Sequence, residues 1–268
     1  MKIIKTPETF LRYMLDHFYA RWPQSRPSEE RLRQCKIIAH RGDYDNQHIF
    51  ENSIAAFDRA SAVGVWGIEF DLRWTKDLQP VILHDTNIRR VFGADFDIHQ
   101  ATLSELKSEC PLVPTLAELI PRYGKQNHLM IEIKAEVYPD PAHQNRILKE
   151  LLSPLTPEKD FHFLTMTPQM FNVIDCVPAT AFLPVAIFNF FRLSKLAITQ
   201  NYSGVAGHYA LLTRSRVKKH KASRQNLATG YVNSLNCLFR ELNRGVKWVF
   251  SDNAVKLQKA VNQLLQHQ

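Results

Sequence analysis

The sequence predicts an α/β fold, an irregular (β/α)8 barrel with an N-terminal helical extension and a small insertion. Three observations predict it. Nine short apolar runs alternate with helix-like segments from Lys36 onward. Most of these runs are nearly continuous in apolar residues, as parallel strands buried on both faces are. Charged and titratable residues gather at the C-terminal ends of the early runs, the end at which barrels build their sites. A doubly wound sheet would share the first two features. The chain has 268 residues, 45% of them apolar, which suffices for one core in one domain.

Residues 1–35 read as an added arm. Phe10, Met14, Phe18 and Trp22 recur at helical spacing until Pro23 and Pro27 stop the helix. The expectation is an arm packed across the bottom or side of the barrel, which occupies residues 36–268. The predicted strands are 36–40, 66–73, 80–85, 128–134, 161–166, 181–187, 202–207, 228–233 and 247–252. Helical patterns lie between them at 53–64, 115–124 and 233–245, the last ending at Gly245. Nine strands are one too many for the barrel. The link between the second and third runs is also too short for a parallel crossover, which needs roughly a dozen residues. Either residues 80–85 form a hairpin, or one of the runs 181–187 and 202–207 lies outside the barrel.

Spacing of two on a strand puts side chains on one face. Glu69 and Asp71 alternate in this way, and so do Glu132 and Lys134. Three carboxylates (Glu69, Asp71, Glu132) turned into one cavity repel each other and lose hydration, so they need a cation. Oxygen ligands without cysteine suit Mg²⁺ or Ca²⁺, with Mn²⁺ a third choice. His40 and His84 end the first and third runs and can serve as a base and an acid near neutral pH. Arg41 offers a fork for phosphate oxygens, and Lys134 adds a point charge beside Glu132. Gly42 lets the backbone turn tightly after them.

The ordered series HRG (40–42), EN with AF (51–52, 56–57), EFD (69–71), TKD (75–77), PVILHD (80–85), PTLxE (114–118) and EIK (132–134) resembles the glycerophosphodiester phosphodiesterase family. VNS (232–234) and GVKWVFSD (245–252) resemble that family's last two strands. The resemblance implies a TIM barrel that hydrolyses glycerophosphodiesters to an alcohol and glycerol 3-phosphate with a divalent metal. It assigns catalysis to His40 and His84, metal ligation to Glu69, Asp71 and Glu132, and phosphate binding to Arg41 and Lys134. Glu51 then supports the site, though a charge at a helix N-terminus explains it comparably. Asn52 either supports the site or caps the helix 53–64. Residues 86–127 fall where the family carries a small capping insertion. Leu78, Thr165-Met166 and Gly230-Tyr231 depart from the family pattern, at positions expected to face the alcohol rather than the metal.

A formal charge of +8 is compatible with a solvated basic surface or with anionic substrates. The basic run 214–221 has no aromatic interleaving, so it reads as a solvated helix face and no nucleic-acid partner is expected. Residues 187–198, with three phenylalanines, Arg192 and Lys195, read either as a core helix with snorkelling cations, which is favoured, or as a weak membrane-surface contact. Four scattered cysteines imply reduced thiols, with no disulfide framework and no zinc site. The N-terminus lacks a signal-peptide pattern, and the expectation is a cytoplasmic protein, peripheral to the membrane at most, with no obligate protein partner. Two alternatives remain at this level. One is a lysophospholipase D-like or sphingomyelinase D-like phosphodiesterase acting on lipid substrates, and the other is a barrel that binds phosphodiesters without turning them over.

Overall fold

The computed structural model describes residues 7–266, with side chains described from residue 14 onward. The strands are β1 (Lys36–His40), β2 (Gly67–Trp74), β3 (Pro80–Ile82), β4 (His128–Ile133), β5 (Phe161–Thr165), β6 (Phe182–Ala186), β7 (Gly204–His208), β8 (Asn226–Gly230) and β9 (Trp248–Ser251). Eight of them pair in parallel in the cyclic order β1-β2-β4-β5-β6-β7-β8-β9, and β9 returns to β1 to close the barrel. The ninth, β3, pairs antiparallel with the end of β2, with Arg73 opposite Val81. Residues 80–85 are therefore the hairpin, and the two weaker runs are both barrel strands. The eighth strand lies earlier than the run 228–233, because Tyr231 at φ +63° ends the extended backbone.

Alternation divides the core. Ile38, Met130, Leu164, Leu183, Ala206 and Ala228 fill the barrel interior. Their neighbours Ile37, Ala39, Ile131, Phe163 and Val249 face the surrounding helices. After β3 the chain lays down short helices, Arg89–Phe92 and Leu103–Glu109, over a small core of Ile88, Ile98, Leu106 and Val113. Reciprocal Thr–Glu caps start Leu103–Glu109 and the following helix, Leu116–Tyr123.

The N-terminal helix is Pro7–Arg21. Phe10 of the expected stripe lies outside the described side chains, and Met14, Phe18 and Trp22 are half exposed. The face that packs is one residue further round: Leu15 and Tyr19 contact the core. Asp16 accepts a hydrogen bond from the Tyr209 hydroxyl at 2.6 Å, and Arg240 stacks on Tyr19 at 4.2 Å. These polar anchors select the face, since Met14 and Phe18 offer only greasy area. Asn236 then donates to the Ala20 carbonyl and Arg31 to that of Asn243. The arm thus descends the barrel's side along helix Leu235–Asn243, with its upper end at the mouth rather than at the bottom.

Helix Phe190–Thr199 buries Phe190, Leu193 and Ala197, while Phe188 and Phe191 stay exposed. Helix Arg214–Ala222 is largely solvated, but Val217 packs on the core and His220 is buried, bonding to Ser194 at 2.7 Å and Gln225 at 3.0 Å. The four cysteines are free thiols.

At the foot of the barrel a hydrogen-bond chain has only one consistent direction. His128 Nδ1 lies 3.0 Å from the Lys159 carbonyl and must donate to it, so its Nε2 accepts from His162 Nδ1 at 2.7 Å. His162 Nε2 then accepts from Ser203, whose oxygen accepts from Asn226. This direction holds for neutral imidazoles, the state their burial favours. Burial pushes them down, His128 to about 4 and His162 to about 3, with Lys36 adding to the effect. Unfolded histidines titrate near 6.5, so the unfolded chain binds more protons at mildly acid pH. Stability from this chain is complete above about pH 6.5 and is lost as pH falls towards 4. Melting temperature should decline over that window. A double His128→Asn, His162→Gln variant should show a flatter profile between pH 6.5 and 5; equal slopes would contradict the neutral chain.

Candidate active site

The site begins where β1 stops. Arg41 (φ +58°) and Gly42 (φ +84°) turn the chain sharply. A Cβ on Gly42 would lie 2.7 Å from that of Ala56, so only glycine lets helix Ile54–Ala62 approach so closely. The turn aims Arg41 back across β2. Its amide donates to Glu69 Oε2 at 3.0 Å, its Nη1 donates to Glu51 at 2.9 Å, and its Nε lies 3.1 Å from Asp71 Oδ2.

Glu69 and Asp71 share the inner face of β2, and the register sets Asp71 beside Glu132 of β4. One oxygen from each of the three lies within 4.8 Å of the others. Glu69 Oε1 is buried without a hydrogen-bond partner. Burial, then repulsion from Asp71, pushes the Glu69 carboxyl up to about 8. Burial opposes ionisation of Asp71 too, but Arg41 and Lys134 outweigh it and hold its carboxyl well below the usual range. Lys134 Nζ sits 2.6 Å from Asp71 and also bridges to Glu132. An orphaned buried carboxylate oxygen beside two more carboxylates, with no sulfur or imidazole in the set, fits a hard divalent cation.

Both histidines are tethered at Nδ1 by an acid. His40 meets Asp252 at 2.7 Å and His84 meets Asp85 at 2.6 Å, which orients each ring and leaves Nε2 outside that bond. The His40 ring is raised overall: burial lowers it, but Glu69 and Asp252 prevail. The His84 ring is lowered by burial, with Arg41 and Lys134 adding to this against Asp71. Arg73 also donates to the His84 carbonyl at 2.7 Å while paired with Glu136.

Sequence reasoning missed Asp252, whose backbone N–H donates to Asn233 Oδ1 at 2.9 Å. Its parity with Phe250 on the last predicted run was the available signal. Asn52 does not cap the helix. Ser53 does, accepting from the Ala56 amide, while Asn52 (φ +57°) donates to Asp71 Oδ2 at 2.7 Å. Glu51 is buried between Arg41 and Arg90; although burial works against it, these cations pull its carboxyl down to about 2. Arg90 arrives from the insertion and also pairs with Asp85. His40, Arg41, Glu69, His84, Glu132 and Lys134 all line one cavity of about 570 Å³, with Asp71 fully buried behind them.

Residues 40–176 match the model of the Glycerophosphoryl diester phosphodiesterase family, just over half of the chain. The chain belongs to this family. A glycerophosphodiester phosphodiesterase of Caldanaerobacter subterraneus subsp. tengcongensis is 34% identical over 127 residues, 43% of this chain and 51% of that protein. Lysophospholipase D GDPD1 of Homo sapiens is 39% identical over 84 residues, 31% of this chain and 24% of that protein. The chain spans about half the length of the bacterial relatives it matches. Among solved structures, a glycerophosphodiester phosphodiesterase of Thermotoga maritima superposes with a TM-score of 0.68 at 21% identity, covering 84% of this chain and 98% of that one. A phosphodiesterase of Oleispira antarctica, in complex with the product sn-glycerol-3-phosphate, gives 0.68 at 21% identity, covering 85% and 96%. These likenesses establish the family barrel.

If the carboxylate trio holds a cation, Mg²⁺ or Ca²⁺ at a hundred times its Kd should stabilise the fold by about 2.7 kcal/mol. That corresponds to roughly 5–10 °C in melting temperature for a chain of this size. Glu69→Gln combined with Asp71→Asn should abolish the increment; an unchanged increment would move the cation elsewhere.

Proposed function

We propose that this protein hydrolyses glycerophosphodiesters to an alcohol and glycerol 3-phosphate, with His40 and His84 as the acid–base pair and a divalent metal held by Glu69, Asp71 and Glu132. One observation carries the reading: two acid-tethered histidines, the carboxylate trio and the cations Arg41 and Lys134 meet at a single cavity. Membership of the family and the name of the Caldanaerobacter relative support it.

Arg41, fixed by Glu51 and Asp71, presents a guanidinium to phosphate oxygens, and Lys134 adds a second positive charge. The bound cation, Mg²⁺ or Ca²⁺, would neutralise charge that grows on the phosphate in the transition state. One histidine takes the proton from a glycerol hydroxyl as that oxygen attacks phosphorus, and the other protonates the departing alcohol. The resulting cyclic phosphate is opened by water with the two histidines in exchanged roles, so no proton is gained or lost over the cycle. Asp252 and Asp85 keep the Nδ1 protons in place, which leaves each Nε2 to exchange a proton with substrate.

On glycerophosphocholine, His40→Ala and His84→Ala should each lower kcat by about 10²- to 10⁴-fold without a change in melting temperature. Chelation should silence the wild type, and either added cation should restore it. Near-wild-type turnover in one histidine variant would remove that residue from the chemistry.

A further inference from the structure

His84 is seated unlike His40. His40 ends a barrel strand and is registered opposite Glu69 of β2. His84 instead follows β3, which lies outside the closed barrel and pairs only with the end of β2. Backbone bonds flank it: the Leu83 amide donates to the Asp71 carbonyl at 2.9 Å, and the Ile98 amide donates to the Thr86 carbonyl at 3.0 Å. Between these two, a side chain takes the His84 carbonyl, with Arg73 Nε donating to it at 2.7 Å. Arg73 stands two residues beyond Asp71 on β2. Neither Arg73 nor its partner Glu136, on the loop after β4, is among the residues lining the cavity.

Arg73 Nη1 donates to Glu136 Oε2 at 2.6 Å, and Glu136 Oε1 accepts from the amide of Trp74, the last residue of β2, at 3.2 Å. His99 of the insertion comes within 3.3 Å of the same carboxylate, while its Nδ1 donates to the Trp74 carbonyl at 3.1 Å. The Arg73 and Glu136 side chains are only 11% and 6% exposed. A buried ion pair is weak evidence for stability, because apolar side chains of similar volume often do as well. What this pair supplies is direction. A guanidinium is a rigid planar fork, so pinning Nη1 on Glu136 fixes where Nε points. Asp85 orients the His84 ring through Nδ1, and Arg73 holds the main chain that carries the ring. We propose that Arg73 and Glu136 are positioning residues that register His84 to β2 and β4, the strands that carry Glu69, Asp71 and Glu132. The catalytic consequence rests on the hydrolytic reading above, whereas the placement of His84 does not.

The test separates the two. Arg73→Met combined with Glu136→Gln removes both charges together and keeps an acceptor for the Trp74 amide. In full-length protein with ¹⁵N-labelled histidine and added Mg²⁺, this double variant should move or broaden the ring signals of His84 and leave those of His40 in place. The His40→Ala and His84→Ala proteins assign the two sets of signals. On glycerophosphocholine, kcat should fall roughly 10- to 100-fold while KM stays within about twofold. Introduced into the His84→Ala protein, the same pair of substitutions should change the residual kcat by less than about twofold. Arg73→Lys keeps the charge but not the fork; it should move the same His84 signals, and it provides the test should the double variant not fold. Unmoved His84 signals, or an equal loss of kcat in the His84→Ala background, would overturn the proposal. Moved signals in a protein whose wild type does not hydrolyse glycerophosphocholine would leave the positioning role standing and remove the hydrolytic reading instead.

Discussion

Negative charge crowded at the ends of β2 and β4 is the constraint around which the mouth is arranged. Glu69 and Asp71 are buried side by side, with Glu132 adjacent, and dry carboxylates at this separation cannot all stay ionised without positive charge. Arg41 and Lys134 supply part of it. Arg41 can reach Asp71 only because residues 41 and 42 leave β1 through two positive-φ steps. Glu51 then fixes the other side of the guanidinium, and Arg90 holds Glu51 in turn. Asn52 donates to the same Asp71 oxygen that Arg41 reaches, and Lys134 meets the other. The EN motif, the HRG turn and one arginine of the insertion thus serve the same charge.

The two ends of the barrel handle ionisable groups in opposite ways. At the foot, His128 and His162 are kept neutral by a directed chain of hydrogen bonds under a Trp66 ring stacked 4.3 Å from His128. At the mouth, each histidine has a carboxylate on Nδ1 that favours its cation, and with the neighbouring acids this outweighs burial at His40 but not at His84. Residue type alone does not separate these roles. Position along the strand does, because the foot is packed and the mouth opens into a cavity.

Much of this could be read from the chain. Alternation on the strand runs puts Glu69 with Asp71 and Glu132 with Lys134, and period-two patterning is robust when a strand is buried on both faces. The short link before Pro80 already pointed to a hairpin. What escaped were long-range partners and backbone signs. Asp252 lies 212 residues from His40, and only barrel closure brings them together. For Asn52 the sequence left a supporting role and a helix cap both open; its positive φ turns it towards Asp71 and leaves Ser53 to cap the helix. The arm's helix and its place on the barrel's side were legible, but not its packing face: apolar periodicity ranks Met14, Phe18 and Trp22 above Leu15, while the docking is decided by Asp16 and Tyr19, whose partners Tyr209 and Arg240 are invisible to local pattern.

That docking has a consequence for how the protein is made. Leu15 is synthesised well before the surface it rests on, which includes Tyr209 and the helix that begins at Leu235. During synthesis the arm must wait, greasy side uncovered, while nearly the whole barrel is translated. One wall of the cavity, to which Leu15 contributes, is therefore finished late by a segment made before the barrel. Substitutions at Asp16 or Tyr209 would be felt as slow maturation of an otherwise complete barrel.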